Sequence, residues 1–248
     1  MTHDVDTPFL ADVGVMAYES ARDLQNRLVA ARKESRLSHD LFLFLEHPPV
    51  FTLGRRGGKE NLTVSEKILQ EKGIPVVQAE RGGNITYHAP GQLVVYVIMD
   101  LDASPYDITT FVSLLEDAMI RTLAAHAIQG DRHPVNRGVF TAGKKIGSVG
   151  IALRRGITFH GLALNVNLDL APFSYIHPCG LTKMVMTSME EAGNAPVTMA
   201  QAKADMKTHL ADLFTIGFKD ISLKEVNRIL EAPHPFSATP PDKETIHA

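Results

Sequence analysis

The chain has 248 residues, 44 % of them hydrophobic and 21 % charged, with a formal net charge of −3. That is ordinary globular usage, with apolar residues enough for one large domain or two small ones. It has neither the basic excess of a nucleic-acid binder nor any run approaching the ~20 apolar residues that span a bilayer.

Helical and strand periods alternate along the chain. A short strand is expected at Val13–Met16, then an amphipathic helix over Ser20–Lys33 with Leu24, Leu28 and Ala31 on one face. Leu41–Leu45 is an apolar run of strand length, broken by Pro48-Pro49 and resumed at Val50–Leu53. Thr63 and Glu66 have the spacing of a capping box for a helix through Ile68 and Leu69, ended by Gly73. Leu93–Met99 reads as a buried strand and Ile108–Ala125 as a longer helix. Lys145–Leu153 and Ile157–Val166, joined by Arg154-Arg155-Gly156, read as a hairpin. Two capped helices follow, one opened by Thr198 and Gln201, the other by Ser222 and Glu225. The predicted fold is a single α+β domain over residues 1–232, a mixed and largely antiparallel sheet flanked by helices. From Pro233 onward four prolines and no apolar period predict a flexible tail, 233–248.

Cys179 is the sole cysteine, set in His177-Pro178-Cys179-Gly180. An intrachain disulfide and a multi-cysteine zinc site are thereby excluded. What remains is a buried apolar thiol or a reactive one whose backbone is placed by a φ-locked proline and a permissive glycine. The acidic start Met1–Asp6 lacks a signal-peptide pattern, and with one cysteine this predicts a cytoplasmic protein.

The densest polar signal is Arg81-Gly82-Gly83-Asn84-Ile85-Thr86-Tyr87-His88-Ala89-Pro90-Gly91-Gln92, directly before the buried strand. Adjacent glycines let backbone amides approach a ligand, and polar side chains converge there, so it reads as a binding loop. Gly54–Lys59 mimics a phosphate loop but is one residue short and has Glu60 where Ser or Thr should follow; it reads as a basic surface loop. Lys144 and Lys145 open a strand, which sends one lysine to solvent and lets the other enter a cleft, where an ammonium would lower a thiol pKa. His160 is either a catalytic base or a hydrogen-bonded structural histidine. No paired histidine spacing supports a metal.

Four strings occur in order: residues 81–92, Lys-Ile-Gly-Ser-Val-Gly at 145–150, His-Gly-Leu-Ala-Leu-Asn-Val-Asn at 160–167, and Ile-His-Pro-Cys-Gly-Leu at 176–181, followed by Thr187-Ser188. Together they resemble the lipoyl(octanoyl) transferases, with Glu46–Pro49 and Phe51–Gly54 also similar to that family. The resemblance implies an α/β fold shared with lipoate and biotin protein ligases, and no cofactor. The implied reaction moves an octanoyl group from acyl carrier protein to a lysine of a lipoyl domain, in 2-oxoacid dehydrogenase E2 subunits or the glycine cleavage H protein. Matched position by position, Cys179 falls on the acyl-thioester nucleophile and Lys145 on the residue that activates it. Substrate contacts fall on Arg81, Gly82, Gly83, Asn84, Ile85, Thr86, Tyr87 and His88, then Ser148, Val149 and Gly150, then Gly161, Leu162 and Ala163. An ATP-consuming ligase of the same fold and a non-catalytic carrier-binding module are the alternatives.

Overall fold

The computed structural model describes residues 7–177 and 184–232. Cys179 and the tail from Pro233 lie outside the described residues. In chain order the elements are β1 (Phe9–Val15), α1 (Tyr18–Lys33), β2 (Leu41–Glu46), β3 (Val50–Leu53), α2 (Glu66–Glu71), β4 (Val76–Gln78), β5 (Ile85–His88) and β6 (Gln92–Ile98). They continue as α3 (Ile108–Ala124), β7 (Asp131–Arg132), β8 (Gly138–Thr141), β9 (Lys144–Arg154), β10 (Ile157–Asn165), α4 (Met189–Ala192), α5 (Met199–Phe214), β11 (Lys219–Asp220) and α6 (Leu223–Glu231).

An eight-stranded sheet runs β11-β1-β2-β6-β10-β9-β8-β7. It is antiparallel except at one edge, where β1 lies parallel to both β2 and β11. A smaller sheet, β4-β3-β5, stands beside it. The run Leu-Phe-Leu-Phe-Leu in β2 lacks polar alternation because both faces of the large sheet are covered. Phe42 and Phe44 join the core under α3 and α5, with Leu115, Met119, Leu210 and Phe214. Leu41, Leu43 and Leu45 join the opposite core under α1, with Leu24 and Leu28. In β6, Leu93, Val95 and Val97 share the first core while Val94, Tyr96 and Ile98 share the second. The result is three layers, helix–sheet–helix, as the expected single α/β architecture requires.

The β9–β10 hairpin turns through Arg155 and Gly156, at φ 51° and 83°, a two-residue turn of positive φ whose backbone twist matches the right-handed twist of the flanking strands. A Cβ at Gly161 would collide with the Val95 carbonyl, so glycine is what lets β10 close on β6.

Three expectations shift. The first strand is Phe9–Val15, longer and earlier than Val13–Met16, because Phe9 and Leu10 pair on both sides, with β2 and with β11. The cap of α2 is Ser65, whose hydroxyl accepts from the Ile68 amide, instead of Thr63. Thr63 is engaged elsewhere: its hydroxyl donates to the Ser174 carbonyl (2.8 Å) and its amide to Tyr175 (2.9 Å). Gly54–Lys59 is basic and its arginines are exposed, but its backbone is tied inward. The amides of Gly54, Arg55 and Arg56 donate to the carbonyls of Asn84, Arg81 and Gly83 at 2.9–3.1 Å.

Candidate active site

A cavity of about 550 Å³ opens where β5 and the glycine loop 81–84 face β6, β9 and β10. Arg81, Gly82, Gly83, Asn84, Ile85, Thr86, His88, Lys145, Ser148, Val149, Gly150, Gly161, Leu162 and Ala163 all line it. Tyr87 does not; it turns to the other side of β5 and packs between Phe51 and Phe173. Strand alternation separates Tyr87 from Thr86 and His88, whereas Ile85, which shares the core of Tyr87, still reaches the cavity at the start of β5.

Lys144 is exposed and Lys145 is 3 % exposed, so the strand separates the two lysines as expected. Lys145 Nζ donates to Asn136 Oδ1 (2.7 Å) and to the Arg137 carbonyl (3.0 Å), and stands 5.5 Å from the Phe140 ring centre. The buried Glu116 fixes that partner loop: its carboxylate accepts from the Gly138 amide (2.8 Å) and from Arg132 Nε (3.2 Å). The Lys145 backbone is also clamped. Its amide donates to the Val185 carbonyl and its carbonyl accepts from the Thr187 amide, at 2.8 and 2.9 Å. The chain therefore runs beside Lys145 only six residues past Cys179, and Met186 lines the cavity there.

Arg81 is 9 % exposed and directs its guanidinium mainly at its surroundings. It donates to the Thr52 carbonyl (2.6 Å), the Thr52 hydroxyl (2.7 Å) and the carbonyls of Gly82 and Asn84 (3.0 and 2.8 Å). It thus shapes the glycine loop from within, while the Gly82 amide donates to Ile151 of β9 (2.9 Å).

A buried polar chain links this loop to the lysine. His88 Nδ1 lies 2.6 Å from Gln92 Oε1. Gln92 Nε2 donates to the Tyr87 carbonyl and to Asn165 Oδ1 (2.8 Å), and Asn165 Nδ2 donates to the Thr187 carbonyl (2.8 Å). Backbone carbonyls at both ends fix the two amide orientations, so His88 Nδ1 must carry the proton. Burial, with His47 and Arg81 nearby, pushes the His88 pKa well below its ordinary value, so the ring is neutral.

Sequence reasoning missed Tyr18, His47, Tyr96, Asn136 and Arg137. His47 donates from Nδ1 to the Met16 carbonyl (2.7 Å) and accepts from the Tyr96 hydroxyl (2.7 Å). Burial lowers its pKa to about 4. Tyr18 lies against both His47 and His88, ring centres 5.3 and 6.2 Å apart. His47 stands in the Glu46–Pro49 string, which carried no role of its own, and no local pattern marks the others, which come from separate parts of the chain.

His160 sits on β10 opposite Ile151, six residues along β9 from Lys145, about 20 Å of strand. Its φ of 60° turns the imidazole onto the same side as Phe159, with ring centres 4.9 Å apart. Burial, then the charges of Arg81, Arg154 and Arg22, lower its pKa to about 3.

With this geometry in place, similarity to known proteins is decisive. Residues 17–211 match the lipoyl protein ligase A/B catalytic domain. The chain belongs to that family. It is 46 % identical over 208 residues to an octanoyltransferase of Desulfotalea psychrophila, covering 83 % of this chain and 93 % of that one. An octanoyltransferase of Syntrophobacter fumaroxidans is 41 % identical, covering 90 % of this chain and 97 % of the relative. Among solved structures, a bipartite lipoate protein ligase of Thermoplasma acidophilum, studied with its E2 lipoyl domain, superposes with a TM-score of 0.72 at 17 % identity, over 90 % of each chain. That last likeness establishes the lipoate ligase fold. Among the described residues, no helix is long and apolar enough to cross a membrane.

Proposed function

We propose that this protein transfers an octanoyl group from octanoyl-acyl carrier protein, through a Cys179 thioester, to a lysine of lipoyl domains, the acyl-transfer step of lipoate biosynthesis. The observation that carries the reading is Lys145, buried at the wall of a cavity and aimed by Asn136 and the Arg137 carbonyl, in a chain whose relatives are octanoyltransferases. The Lys145 backbone is clamped to Val185 and Thr187, which follow Cys179 closely in sequence.

In this reading Lys145 takes the thiol proton of Cys179. The thiolate attacks the donor carbonyl; a new Sγ–C bond forms, the carrier S–C bond breaks, and the leaving thiolate takes the proton held by Lys145. Having given that proton up, Lys145 accepts one from the acceptor amine as it attacks, and the amide forms with the Cys179 thiolate as leaving group. Reprotonation of that thiolate by Lys145 resets the site. One thioester replaces another in the first half, and the more stable amide drives the second. Ile85, Val149 and Leu162 furnish apolar wall. At ~0.8 kcal/mol per CH₂, six methylenes of an octanoyl chain contribute roughly 5 kcal/mol.

Intact-mass analysis after mixing with octanoyl-carrier protein is the test. It should show one octanoyl adduct on Cys179, discharged when a lipoyl domain is added. Lys145→Ala should slow adduct formation at least about tenfold at pH 7, recovering as pH rises toward the free-thiol pKa near ~8.5, while Lys144→Ala stays close to wild type. Retained full turnover in Cys179→Ala with ATP and octanoate would favour a ligase. Absence of any adduct together with carrier binding would favour a non-catalytic module.

A further inference from the structure

The cavity has a second polar end, remote from Lys145. His160 is 1 % exposed and Tyr18 4 % exposed, and both line it. Glu80 adjoins His160, its side chain part-exposed and its Oε2 3.7 Å from His160 Nε2, outside hydrogen-bond range. Gln25 closes the group, accepting the His160 amide proton at Oε1 (2.7 Å). Tyr18 Oη, Gln25 Nε2, Glu80 Oε2 and both ring nitrogens of His160 have no hydrogen-bond partner among the described residues, although each atom is buried. Buried polar atoms are almost always satisfied, and a roomy polar niche with several donors and acceptors is satisfied by water. His160 is also held at φ 60°, a left-handed conformation that an ordinary strand residue avoids.

We propose that Tyr18, His160 and Glu80, with Gln25 behind them, form a hydrated stop that limits the length of apolar acyl chain this protein accepts. The Lys145 side chain leans along β9, its Cε beside Gly138, which pairs with Ser148, so an acyl chain that starts next to Nζ passes Val149 and Gly150 and meets His160 last, because β9 and β10 pair Gly150 with Gly161 and Ile151 with His160. A chain short of that point leaves the water in place. A longer one must strip it from groups that have no hydrogen-bond partner among the described residues, and a hydrocarbon replaces none of those hydrogen bonds. The same end should tolerate a chain carrying a polar terminal group.

The proposal rests on the octanoyl-transfer reading, so its test has an arm that needs no transfer. Wild type, Tyr18→Phe, Glu80→Leu and the double variant are compared for transfer of octanoyl and dodecanoyl groups from carrier protein. Binding of free octanoate and dodecanoate is measured by calorimetry in parallel. Tyr18→Phe removes only a hydroxyl, so it carries the test if Glu80→Leu does not fold. The dodecanoyl-to-octanoyl ratio should rise about tenfold in the double variant, in transfer and in binding alike. A binding ratio that rises where no protein form transfers octanoyl would sink the transfer reading and support the stop. Unchanged ratios in folded variants would overturn the stop, as would a crystal structure with no ordered water on His160.

Discussion

Asn165 joins two halves of the site with one side chain, accepting from Gln92 and donating to the Thr187 carbonyl. Asn165→Ala would leave one buried donor and one buried acceptor unpaired, at about 1–3 kcal/mol each. A loss of roughly 3 kcal/mol in urea unfolding is therefore expected, accompanied by slower acyl transfer as the segment beside Lys145 loosens. A stability within experimental error of wild type would contradict the network. The residues of this site were unequally legible. Arg81, Asn84 and His88 stand in a glycine-rich stretch next to a core strand, a dense run of polar side chains, and Lys145 is set apart from Lys144 by strand alternation. Tyr18 and Tyr96 each resemble ordinary core residues on their own elements, and only tertiary packing brings their rings against His47. Tyr87 shows the converse: it belongs to the motif yet serves the core of the small sheet.

At the scale of elements, β10 depends on Gly161. Gly161→Ala would drive a methyl into the Val95 carbonyl, and overpacking of this kind costs typically 1–3 kcal/mol. Gly217→Ala meets nothing within 4 Å and serves as the comparison. Thermal melts should separate the two variants by several degrees; coincident melting would refute the role of close strand approach. Long periodic elements were plain in the sequence: α1, α3 and the β9–β10 hairpin carry repeated apolar positions and sharp turns. The capping boxes of α5 and α6 were equally plain, because Thr198–Gln201 and Ser222–Glu225 make both reciprocal hydrogen bonds. The Thr63–Glu66 spacing met the same rule and failed, since Thr63 was claimed by the turn at Ser174–Tyr175. Strands β4, β7, β8 and β11 have two to four residues and no period to read. They exist because a neighbour offers a free edge.

For the whole molecule, the buried histidines set an acid limit. His47 and His160 have folded pKa values of about 4 and about 3 against an ordinary 6.5. The unfolded chain therefore takes up protons that the native state refuses, and stability falls as pH drops below 6.5 toward those values. Each ring should remove roughly 2 kcal/mol between about pH 7 and pH 5, a loss that His88 deepens. Urea midpoints at the two pH values check this, and equal midpoints would show that the rings are not buried neutral. Helices flanking a mixed sheet were foreseeable from the alternation of helix and strand signals, whereas the β1–β11 pairing was not, because it joins residues from opposite ends of the described chain. There β1 receives the amides of Lys219 and Ile221 on the carbonyls of Pro8 and Leu10 (2.9 Å each). During synthesis that flank of β1 must wait, open, until some two hundred further residues have left the ribosome. A nascent chain halted before Lys219 would carry a sticky, unsatisfied border, so chaperone dependence should concentrate at that seam.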